Sequence, residues 1–317
     1  MEAIERARRQ SDKKLGQIRK ALNGLVPESE VVVTCGSYAR REASDNSDID
    51  YFVISEQCPS KEEGFQPSEF PWIKAVTECI SDIVPTDPAE GGAFKQIESL
   101  NEMIRNIGGQ KDDNAKITRR ILFLLEGEYL NNKDGLGRAR RMILERYISD
   151  KMTDHQLALF LLNDIIRYYR TIAVDYEFKT SEGDHPKPWG IRNIKLVFSR
   201  KLLYASGLFS VALTADRTWD EKIRLLEGLF EMPVIDRMES ICGKSKVKDV
   251  LRSYNHFLEQ LEKPSVRDRL KAIGKDERSD SLFRGLKNEG HHFTRELLKL
   301  FESTFDSTHP IHKAVIF

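Results

Sequence analysis

The stretch GSYARREASDNSDID, residues 36–50, decides how this sequence is interpreted. It joins two apolar runs, residues 31–35 before it and residues 49–54 at its end. β-Branched and aromatic residues dominate both runs, which predicts two buried strands. Gly36 and Ser37 follow the first strand, and a glycine there lets backbone N–H groups approach a phosphate closely because it has no Cβ. The segment therefore predicts a phosphate-binding turn between two strands.

Two carboxylates close the same segment. Asp48 and Asp50 are two residues apart at the start of the second strand, so their side chains share one face of the sheet. Neighbouring carboxylates repel each other unless a cation lies between them. Mg²⁺ prefers oxygen ligands and usually binds one or two carboxylates together with substrate phosphates. A phosphate turn beside such a pair is the minimum equipment for metal-dependent nucleotidyl transfer.

This pattern resembles the DNA polymerase β-like nucleotidyltransferase superfamily, stand-alone bacterial type, whose signature is Gly-Ser, a short gap and Asp-x-Asp. The resemblance implies that Gly36 and Ser37 bind the triphosphate of an NTP substrate. It implies that Asp48 and Asp50 are catalytic and bind Mg²⁺ or Mn²⁺. We also assign Arg40, which lies in the gap, to nucleotide binding. The implied enzyme class is a nucleotidyltransferase of EC 2.7.7 type.

The resemblance also implies a third carboxylate from a later strand, which helps to activate the attacking hydroxyl. Three residues fit: Asp87 in a proline-rich loop, Glu98 after a predicted strand at 93–97, and Glu126 at the end of the apolar run 121–125. Placement on a strand favours Glu98, which we assign as catalytic. The absence of a third acid would put catalysis in doubt and leave nucleotide binding intact.

A second group of candidate residues lies in a basic segment after residue 186. On a helix, Arg192, Lys195 and Ser199 are spaced i, i+3 and i+7 and share a face. Such a face can bind a triphosphate or an RNA backbone. Lys179 in the preceding helix is a similar candidate, and Trp189 could stack on a base. We assign Lys179, Arg192, Lys195 and Ser199 to nucleotide binding.

Hydrophobic periodicity predicts helices through most of the remaining chain. The predicted helices span residues 2–24, 72–83, 98–107, 114–130, 137–152, 155–179, 191–208, 220–230, 245–262 and 293–304. The last eight residues are predicted as a strand or a tucked tail. The predicted fold class is α+β: a small mixed-sheet nucleotidyltransferase palm followed by an all-helical domain. We place the palm and its N-terminal helix at residues 1–130 and the helical domain at 131–317.

Composition limits the classes of function. The chain has 317 residues, with 50 Lys and Arg against 50 Asp and Glu, so a global basic field is excluded and a local patch is not. Its four cysteines form no CxxC pair, which argues against zinc and disulfides. No apolar run approaches a membrane span, and the N-terminus lacks the apolar core of a signal peptide. We therefore expect a cytoplasmic protein without a membrane partner.

The expected reaction moves a nucleoside monophosphate from an NTP to a hydroxyl of a protein or an RNA, with release of pyrophosphate. Three alternatives stay open. They are a nucleotide second-messenger synthase of an anti-phage system, an aminoglycoside-type adenylyltransferase, and a catalytically silent antitoxin-like NTP-binding module whose partner is a toxin. The basic segment 187–201 argues against the second of these, because cationic drugs favour an acidic cleft. A homodimer is also left open.

Overall fold

The computed structural model describes residues 1–56, 70–85, 97–105, 107–181 and 188–316. In this part of the chain, four strands form one mixed sheet in the order β3-β2-β1-β4. The strands are β1 (Glu30–Cys35), β2 (Asp50–Ser55), β3 (Ile97–Ser99) and β4 (Glu128–Tyr129). Strand β1 is antiparallel to β2 and β4, while β2 and β3 are parallel. A small mixed sheet early in the chain, followed by helices, confirms the predicted α+β class.

Side chains of β2 alternate between the two faces of the sheet. One face packs against the hydrophobic core, and the other face carries Asp50. Ile49, Tyr51 and Val53 belong to one core cluster, so Asp50 points to the other face of the sheet. The same cluster takes the apolar faces of α1 (Glu2–Leu22) and α3 (Pro71–Ile83). Helix α1 contributes Leu15, Ile18 and Leu22 and α3 contributes Ile73, Val76 and Ile80.

Helices make up most of the described chain after β3. They are α4 (Leu100–Arg105), α5 (Asn114–Glu126), α6 (Lys133–Tyr147), α7 (Leu159–Ser181), α8 (Trp189–Lys195), α9 (Lys201–Ala212), α10 (Trp219–Glu231), α11 (Val234–Cys242), α12 (Lys248–Glu262), α13 (Pro264–Ala272), α14 (Ser281–Thr304) and α15 (Ile311–Ala314). Within the described residues, no helix is both long and apolar enough to cross a membrane.

The chain divides into two compact units, each of which is discontinuous in sequence. The palm unit comprises residues 6–153 and 218–233, and the helical unit comprises residues 1–5, 154–217 and 234–317. Helix α10 thus belongs to the palm unit, although it lies deep in the second half of the sequence. The predicted domains, 1–130 and 131–317, stay a prediction. In the observed division, the first long segment of the palm unit ends at residue 153.

The predicted helix at 114–130 is wrong in its last turn. Helix α5 ends at Glu126, and the N–H of Gly127 donates to the Phe123 carbonyl at 3.0 Å. A Cβ at Gly127 would lie 2.3 Å from that same oxygen, so this cap accepts only glycine. The chain then leaves the helix and pairs Glu128 with Thr34 on β1.

Two other predictions about helices are also corrected. Helix α14 begins at Ser281 rather than near residue 293, with the Asp280 carboxylate accepting the Phe283 N–H at 3.0 Å as an N-cap. Gly290 lies inside this helix, although glycine is a poor helix former. In the structure a Cβ at Gly290 would lie 2.3 Å from Val197 Cγ1, so the glycine permits a close helix crossing. Of the two alternatives for the last eight residues, the strand is wrong: Ile311–Ala314 form the short helix α15, and Ile311 is buried.

Candidate active site

The turn after β1 begins with Gly36 in a left-handed backbone conformation, φ +77°. Its N–H donates to Glu126 Oε1 at 2.8 Å. A Cβ on Gly36 would lie 2.8 Å from Asp50 Oδ2, which is closer than real Cβ contacts come. The backbone of the turn therefore lies directly against the Asp50 carboxylate. Glycine is required here both for the dihedral angle and for the space.

The hairpin of β1 and β2 positions the aspartates. Cys35 is the cross-strand partner of Asp50, and Thr34 Oγ1 donates to the Asp50 carbonyl at 2.7 Å. Asp48 lies two residues earlier, and both aspartates are half-buried. The Asp48 carboxylate has no hydrogen-bond or ion-pair partner in the part of the chain that the structure describes. The structure thus brings Gly36 and Asp50 into contact and leaves Asp48 available to a ligand.

A buried ion network holds the turn from behind. The Glu126 side chain is fully buried and accepts Arg40 Nη1 at 2.5 Å in addition to the Gly36 N–H. Arg40 Nε also donates to Glu42 at 3.1 Å. The guanidinium that we assigned to nucleotide binding therefore faces two carboxylates, and its side chain is 6% exposed. Charge-assisted hydrogen bonds of this kind are roughly twice as strong as neutral ones.

Ser37 and Tyr38 are the two central residues of the short helix α2 (Gly36–Ala39). The Ser37 carbonyl accepts the Glu42 N–H at 2.8 Å, and its half-buried side chain has no partner among the described residues. Burial raises the pKa of Tyr38 to about 12, with a further contribution from the negative charges of Asp45 and Asp48. The phenol is therefore neutral at physiological pH and lies close to Asp48.

Within the described residues, neither Glu98 nor Glu126 forms a three-carboxylate group with the aspartate pair. Glu98 pairs with Ile54 in the parallel register, four residues beyond Asp50 on the same face, or about 13 Å at ~3.3 Å per residue. Its carboxylate forms an ion pair with Arg119 Nη1 at 2.5 Å. Burial nonetheless raises the pKa of Glu98, and the Arg119 charge opposes that rise. Glu126 holds Gly36, and Asp87 lies outside the described residues.

Candidate residues of the helical unit occupy different environments. Arg192 and Lys195 are half-buried in α8, and the side chain of Lys179 in α7 lies outside the described residues. Leu196–Arg200 form a π-helical turn, which changes the angular spacing that put Ser199 on the predicted face. Ser199 is 3% exposed and accepts Tyr254 Oη at 3.3 Å. Trp189 is buried against Phe283, with ring centroids 4.9 Å apart, so its stacking on a base is not supported.

The aspartate pair fits a divalent cation by its chemistry. Asp48 is half-buried without a described partner, and the Asp50 carboxylate is confined by Gly36. Among the described residues, no three His, Cys, Asp or Glu side chains are grouped closely enough to hold a metal. Two carboxylates are enough for Mg²⁺ when substrate phosphates and water complete the coordination. The residues present are those that a nucleotide-bound hard cation requires.

Comparison with protein families agrees with this geometry. Residues 15–106 match the family model for a nucleotidyltransferase domain. This match supports the resemblance of the segment to the DNA polymerase β-like superfamily. The match contains Gly36, Ser37, Asp48, Asp50 and Glu98. A comparison with curated proteins gives no significant match.

Sequence reasoning missed the role of Glu126 as the partner of Gly36. The acid stands out at the end of an apolar run, which led us to weigh it as the third carboxylate. Its contact with Gly36 spans 90 residues of sequence, so no local spacing signals it. The sequence feature that could have indicated this contact is the position of Glu126 just before Gly127. A glycine there marks the end of the helix, and the last side chain of a helix that ends at a sheet edge lies near the end of the neighbouring strand.

Proposed function

We propose that the palm unit transfers a nucleoside monophosphate from an NTP to a hydroxyl of a protein or an RNA and releases pyrophosphate. The observation that carries this proposal is the contact between the Gly36 turn and Asp50, with Asp48 unpartnered beside it. The matched domain supports nucleotidyl transfer as the general activity. Because the substrate is an NTP, we propose the cytoplasm as the location.

Each site residue has a separate role in this proposal. Asp48 and Asp50 would hold Mg²⁺ or Mn²⁺, which when bound neutralises charge on the phosphates and makes the attacking hydroxyl more acidic. Since the Gly36 N–H is engaged by Glu126, the Ser37 hydroxyl and the backbone N–H groups after Gly36 are the donors left for the triphosphate. Arg40 would act indirectly, by holding Glu126 and with it the turn.

The chemical step is an in-line displacement. The acceptor hydroxyl oxygen forms a bond to the α-phosphorus, and the bond from that phosphorus to the α,β-bridging oxygen breaks. Pyrophosphate leaves with the electron pair, and the hydroxyl proton passes to a base. We propose Glu98 as this base; its ion pair with Arg119 would have to open, and its carboxylate would have to approach Asp50 from a register position about 13 Å away along the sheet. Rate enhancement then comes mostly from positioning and charge neutralisation.

A second candidate function is an NTP-binding module that performs no transfer. One observation favours it: Glu98 is engaged by Arg119, and Glu126 by Gly36 and Arg40. In this case NTP binds at the turn and the partner is another chain, such as a toxin.

The test incubates the purified protein with each radiolabelled NTP and Mg²⁺, with and without RNA, beside the Asp48→Asn variant. This variant keeps the size of the side chain and removes its charge. Label on RNA or on protein, lost in the variant, supports the proposed transferase and identifies the acceptor. A small labelled product without an acceptor indicates a second-messenger synthase, and label on an added aminoglycoside indicates a drug-modifying enzyme. NTP binding without turnover supports the binding module.

A further inference from the structure

The helical unit carries a row of four cations on α7, α9, α14 and the segment between α13 and α14. We call it the basic row, and its members are Arg170, Lys201, Lys287 and Arg278. Each member acts electrostatically on a neighbour in the row or on a tyrosine beside it. Lys201 is close to Lys287, and Lys287 is close to Arg278. Arg170 is close to Tyr204, one turn after Lys201 on α9.

The two lysines lie on either side of one helix crossing. At Gly290, α14 comes so near the π-helical turn that a Cβ would meet Val197. Lys287, three residues before the crossing, donates to Asn193 Oδ1 at 2.9 Å. Lys201 donates to Oγ1 of Thr294, four residues after the crossing, at 2.7 Å. The packing therefore fixes both ammonium groups in place.

Burial leaves these ammonium groups electrostatically unsatisfied. It lowers the pKa of Lys201, and the positive charge of Lys287 lowers that pKa further. The pKa of Lys287 is lowered by burial and then by Arg278. Each lysine has three donor hydrogens, and among the described residues its hydrogen-bond partner is one neutral oxygen. Half-buried cations that repel one another are stabilised by an anion.

The basic row differs in its partners from two other cations of this unit, Lys275 and Arg269. Lys275 pairs with Glu177, and Arg269 pairs with Asp280 at 2.6 Å. Among the described residues, no member of the row forms an ion pair with a carboxylate. Arg278 donates to the Lys275 carbonyl at 3.0 Å and lies 5.5 Å from the Trp189 ring. Within the described part of the chain, carboxylates therefore do not neutralise the four charges of the row.

An aromatic pair adjoins the same row. Tyr169 on α7 and Tyr204 on α9 are stacked, with ring centroids 4.5 Å apart and planes 14° apart. Both rings are half-buried, so part of the pair faces solvent. Cations interleaved with planar aromatic side chains are the equipment that proteins use to bind single-stranded nucleic acids. The chain as a whole carries no net charge, so this local row would supply the attraction.

We propose that the basic row binds the phosphodiester backbone of a single-stranded RNA. Phosphate oxygens are small enough to reach ammonium groups held beside a helix crossing. Phosphates also repeat along an RNA strand, as the cations repeat along the basic row. Repeated phosphates fit this arrangement better than the carboxylates of an acidic protein, which sit on separate flexible side chains. That this RNA is the acceptor of transfer rests on the proposed function, whereas the binding of RNA by the basic row does not.

The test measures fluorescence anisotropy of a labelled, unstructured oligoribonucleotide over a range of salt concentrations. Four phosphate contacts predict a slope of log K against log salt of about −3, from ~0.7 per contact on a single strand. The double variant Lys201→Gln/Lys287→Gln should reduce that slope by about 1.4 and weaken binding at least about tenfold. The matched control is Lys299→Gln, an exposed α14 lysine that pairs with Glu296. It should bind RNA as the unmodified protein does.

A second variant guards against misfolding of the double variant. Arg170→Gln alters an exposed residue and should reduce the slope by about 0.7. A wild-type slope near zero, or equal slopes in all variants, would overturn the proposal. So would equally tight binding to polyglutamate, which would indicate an acidic protein partner. Asp48→Asn should retain RNA binding, so failure of the transferase proposal and failure of this one are distinguishable.

Discussion

Gly36→Ala should damage the active site far more than it destabilises the protein. The new methyl group meets Asp50 Oδ2 at 2.8 Å, and φ at this residue is +77°. A left-handed alanine costs about 1–2 kcal/mol, and the stiffer unfolded chain returns about 0.4–1 kcal/mol. The oxygen that clashes ends a short side chain, so the Asp50 carboxylate can turn away at little further cost. We expect a net destabilisation of about 1 kcal/mol.

Activity should respond differently, because the group that moves is a proposed metal ligand. Moving a reacting group by ~1 Å can cost on the order of 10²-fold in rate. We therefore expect Gly36→Ala to lower kcat/KM for nucleotidyl transfer by about that factor. The rate is measured as pyrophosphate release with the preferred NTP and acceptor, and stability is measured by urea denaturation.

Gly24→Ala is the matched control for this variant. Gly24 has φ +78°, nearly the angle of Gly36, and no atom lies within 4 Å of its added Cβ. It should show the same loss of stability and an unchanged rate. Equal activity in the two variants would refute the argument that Gly36 lies against the metal ligand. A much larger loss of stability in Gly36→Ala would refute the argument that Asp50 yields easily.

Three further variants separate positioning, catalysis and stability. Glu126→Gln keeps an acceptor for the Gly36 N–H and removes the charge facing Arg40. We expect a higher KM for NTP and a decrease of about 1–3 kcal/mol in the free energy of unfolding. An unchanged KM in steady-state kinetics would contradict this expectation. Glu98→Gln should abolish transfer while NTP binding, measured by calorimetry, persists; full activity would remove Glu98 from the catalytic set. Asp112→Ala leaves the buried Arg120 without its bidentate carboxylate partner. It should lower the free energy of unfolding, measured by urea denaturation, by about 3–5 kcal/mol and leave the specific activity of the folded fraction unchanged. A decrease of less than about 1 kcal/mol would be inconsistent with the burial of this pair.

The part of the site that could be predicted from sequence is the part built by neighbouring strands. β1 and β2 are consecutive and antiparallel, so the end of one and the start of the other meet, as Cys35 and Asp50 do. The apolar runs fix which segments are strands, and alternation fixes which face the aspartates share. None of these steps depends on distant parts of the chain.

The unpredicted features all depend on contacts distant in sequence or on helix geometry that periodicity does not encode. The position of Glu98 depends on the register of a parallel pair whose partners, Ile54 and Glu98, are far apart in sequence. The environment of Ser199 depends on a π-helical turn, and a spacing argument assumes an α-helix throughout. The close packing of Gly290 against the Val197 side chain joins residues far apart in sequence, so periodicity does not show it.

The division of the chain has a similar origin, and it determines what a working fragment must contain. Helix α10 belongs to the palm unit through specific contacts: Trp219 Nε1 donates to the Ile148 carbonyl at 2.9 Å, and Glu227 accepts Arg141 Nη1 at 3.0 Å. A fragment ending at residue 130 would lose α6, whose buried Arg140 donates to the Gly127 carbonyl at 2.9 Å. That carbonyl follows Glu126 directly, and Glu126 holds Gly36. The geometry of residues 36–50 therefore depends on helices that begin after the predicted palm ends.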